Sequence, residues 1–269
     1  MHRGKKALLA LVLGAVALGG CQFIKSPQVP MRGFNYEAAG PEQADGLVVL
    51  LGGFGDTPEH FQDYGFVEWV LENTNYDVVT PDAHFGYYRT GTISPRLRDD
   101  VIGPARRAGY REIWLVGISM GGFGALSYAT DYREEVAGVI LLAPYLGTGE
   151  VVESVREAGG IRSWTPPESL ADVSDPATRV SYQMWALLKG WVDNPDAPPV
   201  YIGFGAQDGS SENHRLLGAA LPESHVASIE GGHKWVIWAP LFRTLAARAF
   251  PASGPAVDTS TVAAHQPER

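Results

Sequence analysis

One serine lies inside a short glycine-rich stretch, GISMGG, at residues 117–122. Ser119 has a glycine two positions before it and another two positions after it. A serine hydroxyl attacks an acyl carbon only when a neighbouring base takes its proton, so a reactive serine needs both exposure and a partner. The G-x-S-x-G spacing suits a turn too sharp for side chains at the two glycine positions, and such a turn exposes the hydroxyl. A tight turn with a passive serine is the alternative.

Histidine is the base that most often activates a serine. His233 follows a short apolar run and two glycines, in IEGGHKW, which allows its ring to turn towards a site at the end of that run. His225 precedes the same run, so it faces the opposite end. His60 and His214 fall in predicted helices, where we expect solvated side chains. His233 is therefore the predicted base.

The base in turn needs an acid that orients its ring. Asp208 comes a few residues after an apolar run, in GFGAQDG. Asp172 and Asp175 have no such run before them to hold them in place. Asp208 is therefore the predicted acid.

Six apolar runs alternate with helical patterns and must position these three residues. The runs are mostly unbroken, which is typical of strands buried on both faces of a parallel sheet. We therefore predict a doubly wound, mostly parallel α/β sheet, in which Ser119, Asp208 and His233 share the carboxyl edge. The predicted strands are 47–51, 76–80, 113–117, 136–142, 200–204 and 226–229, and the predicted helices are 59–73, 95–108, 120–132, 211–220 and 234–249.

The motifs G-I-S-M-G, G-A-Q-D and G-G-H occur in the order serine, aspartate, histidine. Residues 46–250 thereby resemble the α/β-hydrolase superfamily, of the small esterase or lipase type. The resemblance implies an α/β-hydrolase fold whose helical cap is the insertion at about 147–198, with a helix near 181–188. It also implies a serine hydrolase that cleaves carboxylic esters of apolar or mid-sized acyl groups through an acyl-enzyme, with no metal and no cofactor.

Such an enzyme needs backbone N–H groups that face the developing oxyanion. We expect one from Met120, directly after the nucleophile. The second should come from the loop LLGGFGD, with Phe54 as the donor by position and Gly53 as the alternative. Many relatives have His-Gly in this loop, whereas this chain has Gly52 and Gly53, so the second donor stays open between the two residues.

Aromatic side chains suggest two borders for a substrate pocket. Trp164 and Trp185 lie in the insertion, and His84 lies in the aromatic stretch PDAHFGYYRTG. These side chains would line an apolar acyl pocket, or they would pack the insertion and the loop onto the body.

The first twenty residues are typical of a secretory signal. Three basic residues precede a 14-residue apolar stretch, which is too short for a membrane span of about 20 residues. The sequence LGGC that ends at Cys21 resembles the lipobox of bacterial lipoproteins, which implies cleavage before Cys21 and its lipidation. An ordinary signal with a chance cysteine, or a buried thiol, is the alternative. Gln22, rather than aspartate, favours the outer membrane, facing the periplasm.

The whole chain is then divided into a signal peptide (1–20), a tether (21–32), a hydrolase domain (33–250) and a disordered tail (251–269).

The net charge of −9 disfavours nucleic acid as a partner. The expected partners are a small-molecule ester and, through the lipid, a membrane, and nothing indicates the oligomeric state. A thioesterase or acyltransferase with the same triad, or a non-catalytic envelope lipoprotein, are the alternative functions.

Overall fold

The computed structural model describes residues 25–39 and 44–250. Seven strands of this part form one sheet in the order β1-β3-β2-β4-β5-β6-β7, and all pair in parallel except β1, which is antiparallel to β3. The predictions on residues 1–20, Cys21 and residues 251–269 lie outside the described residues. The strands are β1 (Gly33–Tyr36), β2 (Gly46–Leu51), β3 (Tyr76–Pro81), β4 (Glu112–Ile118), β5 (Gly138–Leu142), β6 (Val200–Gly205) and β7 (Val226–Ile229).

Helices connect the parallel strands and cover both faces of the sheet, as the sequence predicted. Within the described ranges, every helix is too short or too polar to cross a bilayer. The α-helices are α1 (His60–Asp63), α2 (Phe66–Asn73), α3 (Phe85–Arg89), α4 (Ile93–Leu97), α5 (Gly103–Ala108), α6 (Met120–Asp131), α7 (Gly149–Glu157), α8 (Pro176–Val192), α9 (Ser211–Gly218) and α10 (Trp235–Ala249).

The central strands are buried along their whole length, which explains their unbroken apolar sequences. Every residue of β2, β5 and β6 is buried. In the β2–β4 register Leu51 pairs with Gly117, so both strands end at the same level. Their carboxyl ends therefore form a common edge, from which the chain continues into the loops that carry the predicted site.

Three local features differ from the prediction. Strand β1 was missed because its residues are exposed or half-buried and give no apolar run. The single helix predicted over 59–73 is divided into α1 and α2 at Gly65, whose φ of 73° breaks the helical path. Helix α3 occupies part of a stretch that was read only as an aromatic loop.

The long insertion between β5 and β6 contains α7 and α8. Its beginning is tied to α8, where Ser181 Oγ accepts a hydrogen bond from the Thr148 amide at 3.0 Å. The indole of Trp185 donates to the carbonyl of Leu146 at 2.9 Å, and its side chain is fully buried. The start of the insertion is therefore fixed to α8, and α8 in turn contacts α6 of the body.

Candidate active site

Ser119 occupies the sharp turn between β4 and α6. Its backbone angles are φ 52° and ψ −113°, a region that residues with a side chain rarely adopt. Two hydrogen bonds hold this conformation, since Ser119 N donates to Leu142 O and Tyr145 N donates to Ser119 O, both at 2.9 Å. The turn leaves Ser119 half-buried rather than enclosed, as a nucleophile requires.

The glycines around Ser119 are required by close backbone contacts. A Cβ at Gly117 would lie 2.4 Å from the carbonyl oxygen of Gly121, and a Cβ at Gly121 would lie 2.0 Å from that of Leu51. Both separations are far below any real contact, so side chains at these positions would force the strand and helix apart. Helix α6 can therefore begin directly behind Ser119, and its dipole is directed at the hydroxyl.

Asp208 and His233 form a hydrogen-bonded pair. Their atoms Oδ2 and Nδ1 are 2.6 Å apart, Asp208 is buried, and 43% of the His233 side chain is exposed. An ionised carboxylate only accepts hydrogen bonds, so Nδ1 carries the proton and Nε2 is left as an acceptor. The other carboxylate oxygen accepts the Ser210 amide at 2.9 Å, which fixes Asp208 in turn.

The backbone beyond β6 and β7 aligns this pair. Ala206 N donates to Ile229 O at 2.8 Å, and Gln207 N donates to Gly231 O at 2.9 Å. These bonds extend the pairing of the two strands past their ends. The loop with Asp208 and the loop with His233 therefore leave the sheet side by side.

No hydrogen bond among the described residues joins Ser119 Oγ to His233. Two series of contacts nevertheless connect the region of Ser119 to the pair of Asp208 and His233. In the first series, the amide of Tyr145 donates to the Ser119 carbonyl. The carbonyl of the preceding residue, Pro144, accepts a hydrogen bond from His214 Nε2 at 3.0 Å. The backbone amide of His214 donates to the Ser210 carbonyl at 3.1 Å, and the Ser210 amide donates to Asp208 Oδ1, which completes the connection to the pair. Catalytic hydrogen bonds often tighten only when substrate binds.

The second series of contacts runs through Asp56. Its carboxylate accepts the Gly53 amide at 2.7 Å through Oδ2 and the Trp235 indole at 2.9 Å through Oδ1. A Cβ at Gly53 would lie 3.3 Å from Ser119 Cβ, so this loop borders the serine, whereas Trp235 comes two residues after His233. Asp56 thus links both sides of the candidate site.

The same contact bears on the predicted oxyanion donors. The N–H of Gly53 already has an acceptor in Asp56, so in this conformation it is not directed at a substrate. Phe54 is then the favoured donor of the two residues considered for this loop. Met120 is the first residue of α6, and N–H groups in a first helical turn have no acceptor within the helix. Its position agrees with the predicted role.

The prediction for His214 was wrong, because its side chain is completely buried. The ring lies 5.3 Å from that of Phe204, and its Nδ1 has no hydrogen-bond partner among the described residues. Burial lowers the pKa of His214, with the hydrogen bond to Pro144 acting in the opposite direction. A helical spacing of small and apolar residues would have indicated this inner face, since α9 also buries Ser211, Leu217 and Gly218.

The three predicted pocket residues lie within the packed interior instead. His84 accepts the Gly86 amide at 3.1 Å and caps α3, and burial lowers its pKa. The indole of Trp164 donates to Ser154 Oγ at 3.1 Å, and that of Trp185 binds Leu146. Each side chain is at most 4% exposed. These contacts agree with the packing alternative and correct the pocket prediction.

Exposed apolar side chains are found on the loops of the site and at the start of α10. Phe54 is 47% exposed and follows Gly53, while Tyr145 is 48% exposed and follows the strand next to β4. Val236, three residues after His233, is 62% exposed. Sequence reasoning considered Phe54 only as an oxyanion donor and did not consider Tyr145 or Val236. In the described part of the chain, no three His, Cys, Asp or Glu side chains converge as metal ligands would.

Comparisons with solved structures identify the same fold. Est1E from Butyrivibrio proteoclasticus superposes with a TM-score of 0.55 at 17% identity, over 80% of this chain and 91% of that one. An S-formylglutathione hydrolase from Staphylococcus aureus gives 0.53 at 14% identity, over 84% and 98%. Est1E with bound ferulic acid gives 0.54 at 15% identity, over 81% and 95%. At these identities the likeness concerns the fold.

The sequence comparisons give the family. No curated protein matches the chain significantly. The family model described as serine aminopeptidase, S33, matches residues 42–185, which is more than half of the chain and includes the turn at Ser119. Together with the mostly parallel sheet, this match shows that the chain belongs to the serine aminopeptidase S33 family and is an α/β-hydrolase enzyme.

Proposed function

We propose that this protein hydrolyses carboxylic esters with apolar or mid-sized acyl groups, using Ser119 as nucleophile, His233 as base and Asp208 as orienting acid. The observation that carries the proposal is the 2.6 Å contact between His233 Nδ1 and Asp208 Oδ2 at the sheet edge that also holds the strained Ser119. A buried acid, an exposed imidazole and a serine held at a helix N-terminus are the parts that acyl transfer requires.

In the acylation step, His233 Nε2 takes the proton from Ser119 Oγ while Oγ bonds to the acyl carbon. The carbonyl oxygen becomes an oxyanion, which the N–H groups of Met120 and Phe54 stabilise. The tetrahedral intermediate then loses its alkoxide, and the proton on His233 passes to that leaving oxygen. Asp208 keeps Nδ1 protonated throughout and so maintains the reactive tautomer.

In the deacylation step, a water molecule gives a proton to His233 while its oxygen bonds to the acyl carbon. The tetrahedral intermediate then breaks its bond to Ser119 Oγ, which takes the proton back from His233 as the carboxylic acid leaves. The exposed fraction of the His233 side chain supports direct access of water to this base. A thioesterase would use the same groups with a thiolate leaving group. An acyltransferase would admit an alcohol in place of water, so exposure to water favours hydrolysis.

The family description names an aminopeptidase, and such an enzyme must bind the ammonium group of its substrate beside a carboxylate. Asp56 is the carboxylate next to the loop that borders Ser119. Both of its oxygens already accept hydrogen bonds, from Gly53 and Trp235. These two bonds give Asp56 a structural role between the two loops, and the comparison of leaving groups separates an ester from an aminoacyl substrate.

The test is a comparison of leaving groups and chain lengths on purified residues 22–269. p-Nitrophenyl esters of two to twelve carbons, matching thioesters and aminoacyl p-nitroanilides are measured with the wild type, Ser119→Ala and the control Ser127→Ala on the same helix. We expect ester turnover that is lost only in Ser119→Ala. Equal turnover in the wild type and Ser119→Ala would exclude the mechanism, and preferred turnover of the p-nitroanilides would show an aminopeptidase.

We also propose that residues 1–20 are removed and that Cys21 carries the lipid that anchors the enzyme at the cell envelope, on the outer membrane facing the periplasm. The basic start, the apolar stretch and LGGC support this placement. Cys21→Ser should block processing or release the protein from membranes. Normal processing with unchanged membrane association would contradict it.

A further inference from the structure

Residues 25–32, part of the predicted tether, are mostly exposed but are bound to the body through Lys25, Gln28 and Met31. The hydroxyl of buried Tyr87 accepts the Gln28 amide at 3.0 Å and donates to the Gln28 carbonyl at 2.9 Å. The Met31 amide donates to Asp100 at 2.8 Å. Lys25 lies 2.5 Å from the Asp82 carboxylate. These contacts fix the segment from Lys25 onwards, so the preceding chain starts from a defined point on the surface.

That point lies on the same edge of the sheet as the candidate nucleophile. Asp82 directly follows β3 at its carboxyl end and lines a small cavity together with Gly53. The loop LLGGFGD, residues 50–56, is called the oxyanion loop. The rings of Phe54 and Phe85 pack edge to face with centroids 5.4 Å apart, which joins the oxyanion loop to the segment that holds Lys25. Gly53 borders Ser119, as described above. The chain therefore enters the domain beside the active site.

Four peptide units separate Lys25 from Cys21. Fully extended, they span at most about 14 Å, because each residue adds about 3.3–3.6 Å. We propose that the lipid on Cys21 holds this edge against the bilayer, so that Ser119 takes acyl esters embedded in the membrane rather than esters dissolved in water. The proposal rests on the proposed function and on the lipidation of Cys21.

The surface around the entry point suits a bilayer interface. Phe54 on the oxyanion loop is 47% exposed and Phe34 is 45% exposed. Phe34 lines an open groove of about 610 Å³ together with Lys25 and Pro58. Exposed aromatic side chains are costly in water and favourable at the boundary between headgroups and acyl chains. Since the net charge is −9, the lipid rather than attraction to anionic headgroups would supply the binding.

The test changes the reach of the anchor without changing the domain. A flexible 20-residue Gly/Ser linker is inserted between residues 24 and 25 of the lipidated full-length protein, which adds about 25 Å of mean reach. Both proteins are reconstituted in phosphatidylcholine vesicles. Turnover is measured with water-soluble p-nitrophenyl butyrate and with a long-chain fluorogenic ester dissolved in the bilayer. Tyr87→Phe removes both hydrogen bonds between the Tyr87 hydroxyl and Gln28. It serves as an independent variant with the native chain length.

We expect both variants to hydrolyse the butyrate at the wild-type rate and the bilayer ester at least about fivefold more slowly, because the effective concentration of the membrane substrate falls. Equal rates on the bilayer ester for the wild type and the linker variant, with both proteins fully vesicle-bound, would overturn the proposal. Loss of membrane binding by the wild type would instead contradict the lipidation, and activity that survives Ser119→Ala would contradict the proposed function.

A second readout does not depend on activity. Cys21 is the only cysteine and is consumed by the lipid, so a new thiol can be labelled alone. A polarity-sensitive dye on Phe54→Cys should shift to the blue on vesicles and be quenched by brominated lipids. The same dye on Asp196→Cys, an exposed position near the amino end of β6, should not respond. An equal response at both positions would overturn the proposed orientation.

Discussion

The carboxylate of Asp56 accepts a hydrogen bond from the indole of Trp235 at 2.9 Å, although 179 residues separate them in the sequence. The same carboxylate binds the Gly53 amide at 2.7 Å. One side chain thus ties the loop beside Ser119 to the beginning of the helix that follows His233. The relative position of the oxyanion loop and the base is set by this bridge.

We expect Asp56→Asn to lower kcat by about 10- to 100-fold with little change in KM. The amide has one acceptor oxygen where two donors need one each, so either Gly53 or Trp235 loses its partner and the loop shifts. Steady-state kinetics on p-nitrophenyl butyrate measure the effect. Asp63→Asn, an exposed position at the end of α1, is the control, and an unchanged kcat in Asp56→Asn would refute the role of the bridge.

Asp208→Asn should lower kcat by about 10³- to 10⁴-fold while the fold stays intact. An asparagine can donate to Nδ1 and so stabilise the wrong imidazole tautomer, in which Nε2 can no longer take a proton. Stopped-flow measurement of the first turnover, combined with a thermal melt, separates chemistry from stability. Asp172→Asn in an exposed part of the insertion is the control. Wild-type acylation by Asp208→Asn would exclude the aspartate from the mechanism.

Gly121→Ala should destabilise the protein by about 1–3 kcal/mol, because the added carbon would meet the Leu51 carbonyl at 2.0 Å and force α6 away from the sheet. The matched control is Gly190→Ala in α8, where an added carbon meets no atom within 4 Å. That change should be neutral or stabilising by about 0.5–1 kcal/mol, since alanine favours a helix. Urea denaturation measures both, and similar effects at the two sites would contradict the packing argument.

Stability should fall as the pH is lowered below about 6.5, the ordinary value for histidine. Burial lowers the pKa of His214, His84 and His225 in the folded state. Between the ordinary and the lowered values the unfolded chain binds more protons than the folded one, so acid favours unfolding. His214→Gln, which keeps a donor for Pro144, should flatten this part of the profile.

The measurement is the urea midpoint from pH 8 to pH 5, and His60→Gln at a partly exposed position is the control. If the urea midpoint of His214→Gln depends on pH in the same way as that of the wild type, the buried ring does not contribute to the pH dependence of stability.

Local sequence patterns were sufficient to predict those elements whose burial or backbone conformation determines the residue types. The buried parallel strands have apolar runs because neighbouring strands and helices cover them, whereas the edge strand β7 is half-buried in its first two residues and exposed in its last two. The glycines at 117 and 121 indicated a sharp turn, and the positive φ of Ser119 agrees with it. Asp208 and His233 were predicted because each follows a strand, and the structure brings them into contact.

Other features depend on partners distant in the sequence. Strand β1 exists only because β3 offers it a free edge, so its own residues carry no signal. The carboxylate of Asp56 finds Trp235 through tertiary packing, and the side chain of His214 finds Pro144 in the same way. The packing of residues 25–32 depends on Tyr87, which no local pattern relates to Gln28.

The backbone bonds that extend beyond β6 and β7 also bear on motion. Because Ala206 is bonded to Ile229 and Gln207 to Gly231, the loops that carry Asp208 and His233 form one body. Strand β7 lies at one margin of the sheet and is partly solvated, so it is better able to fluctuate than the fully buried β5 and β6. Such a fluctuation displaces the acid and the base together and leaves their mutual spacing intact. Only the distance between this pair and Ser119 changes. Motion at this margin of the sheet would therefore control the reactivity of the serine.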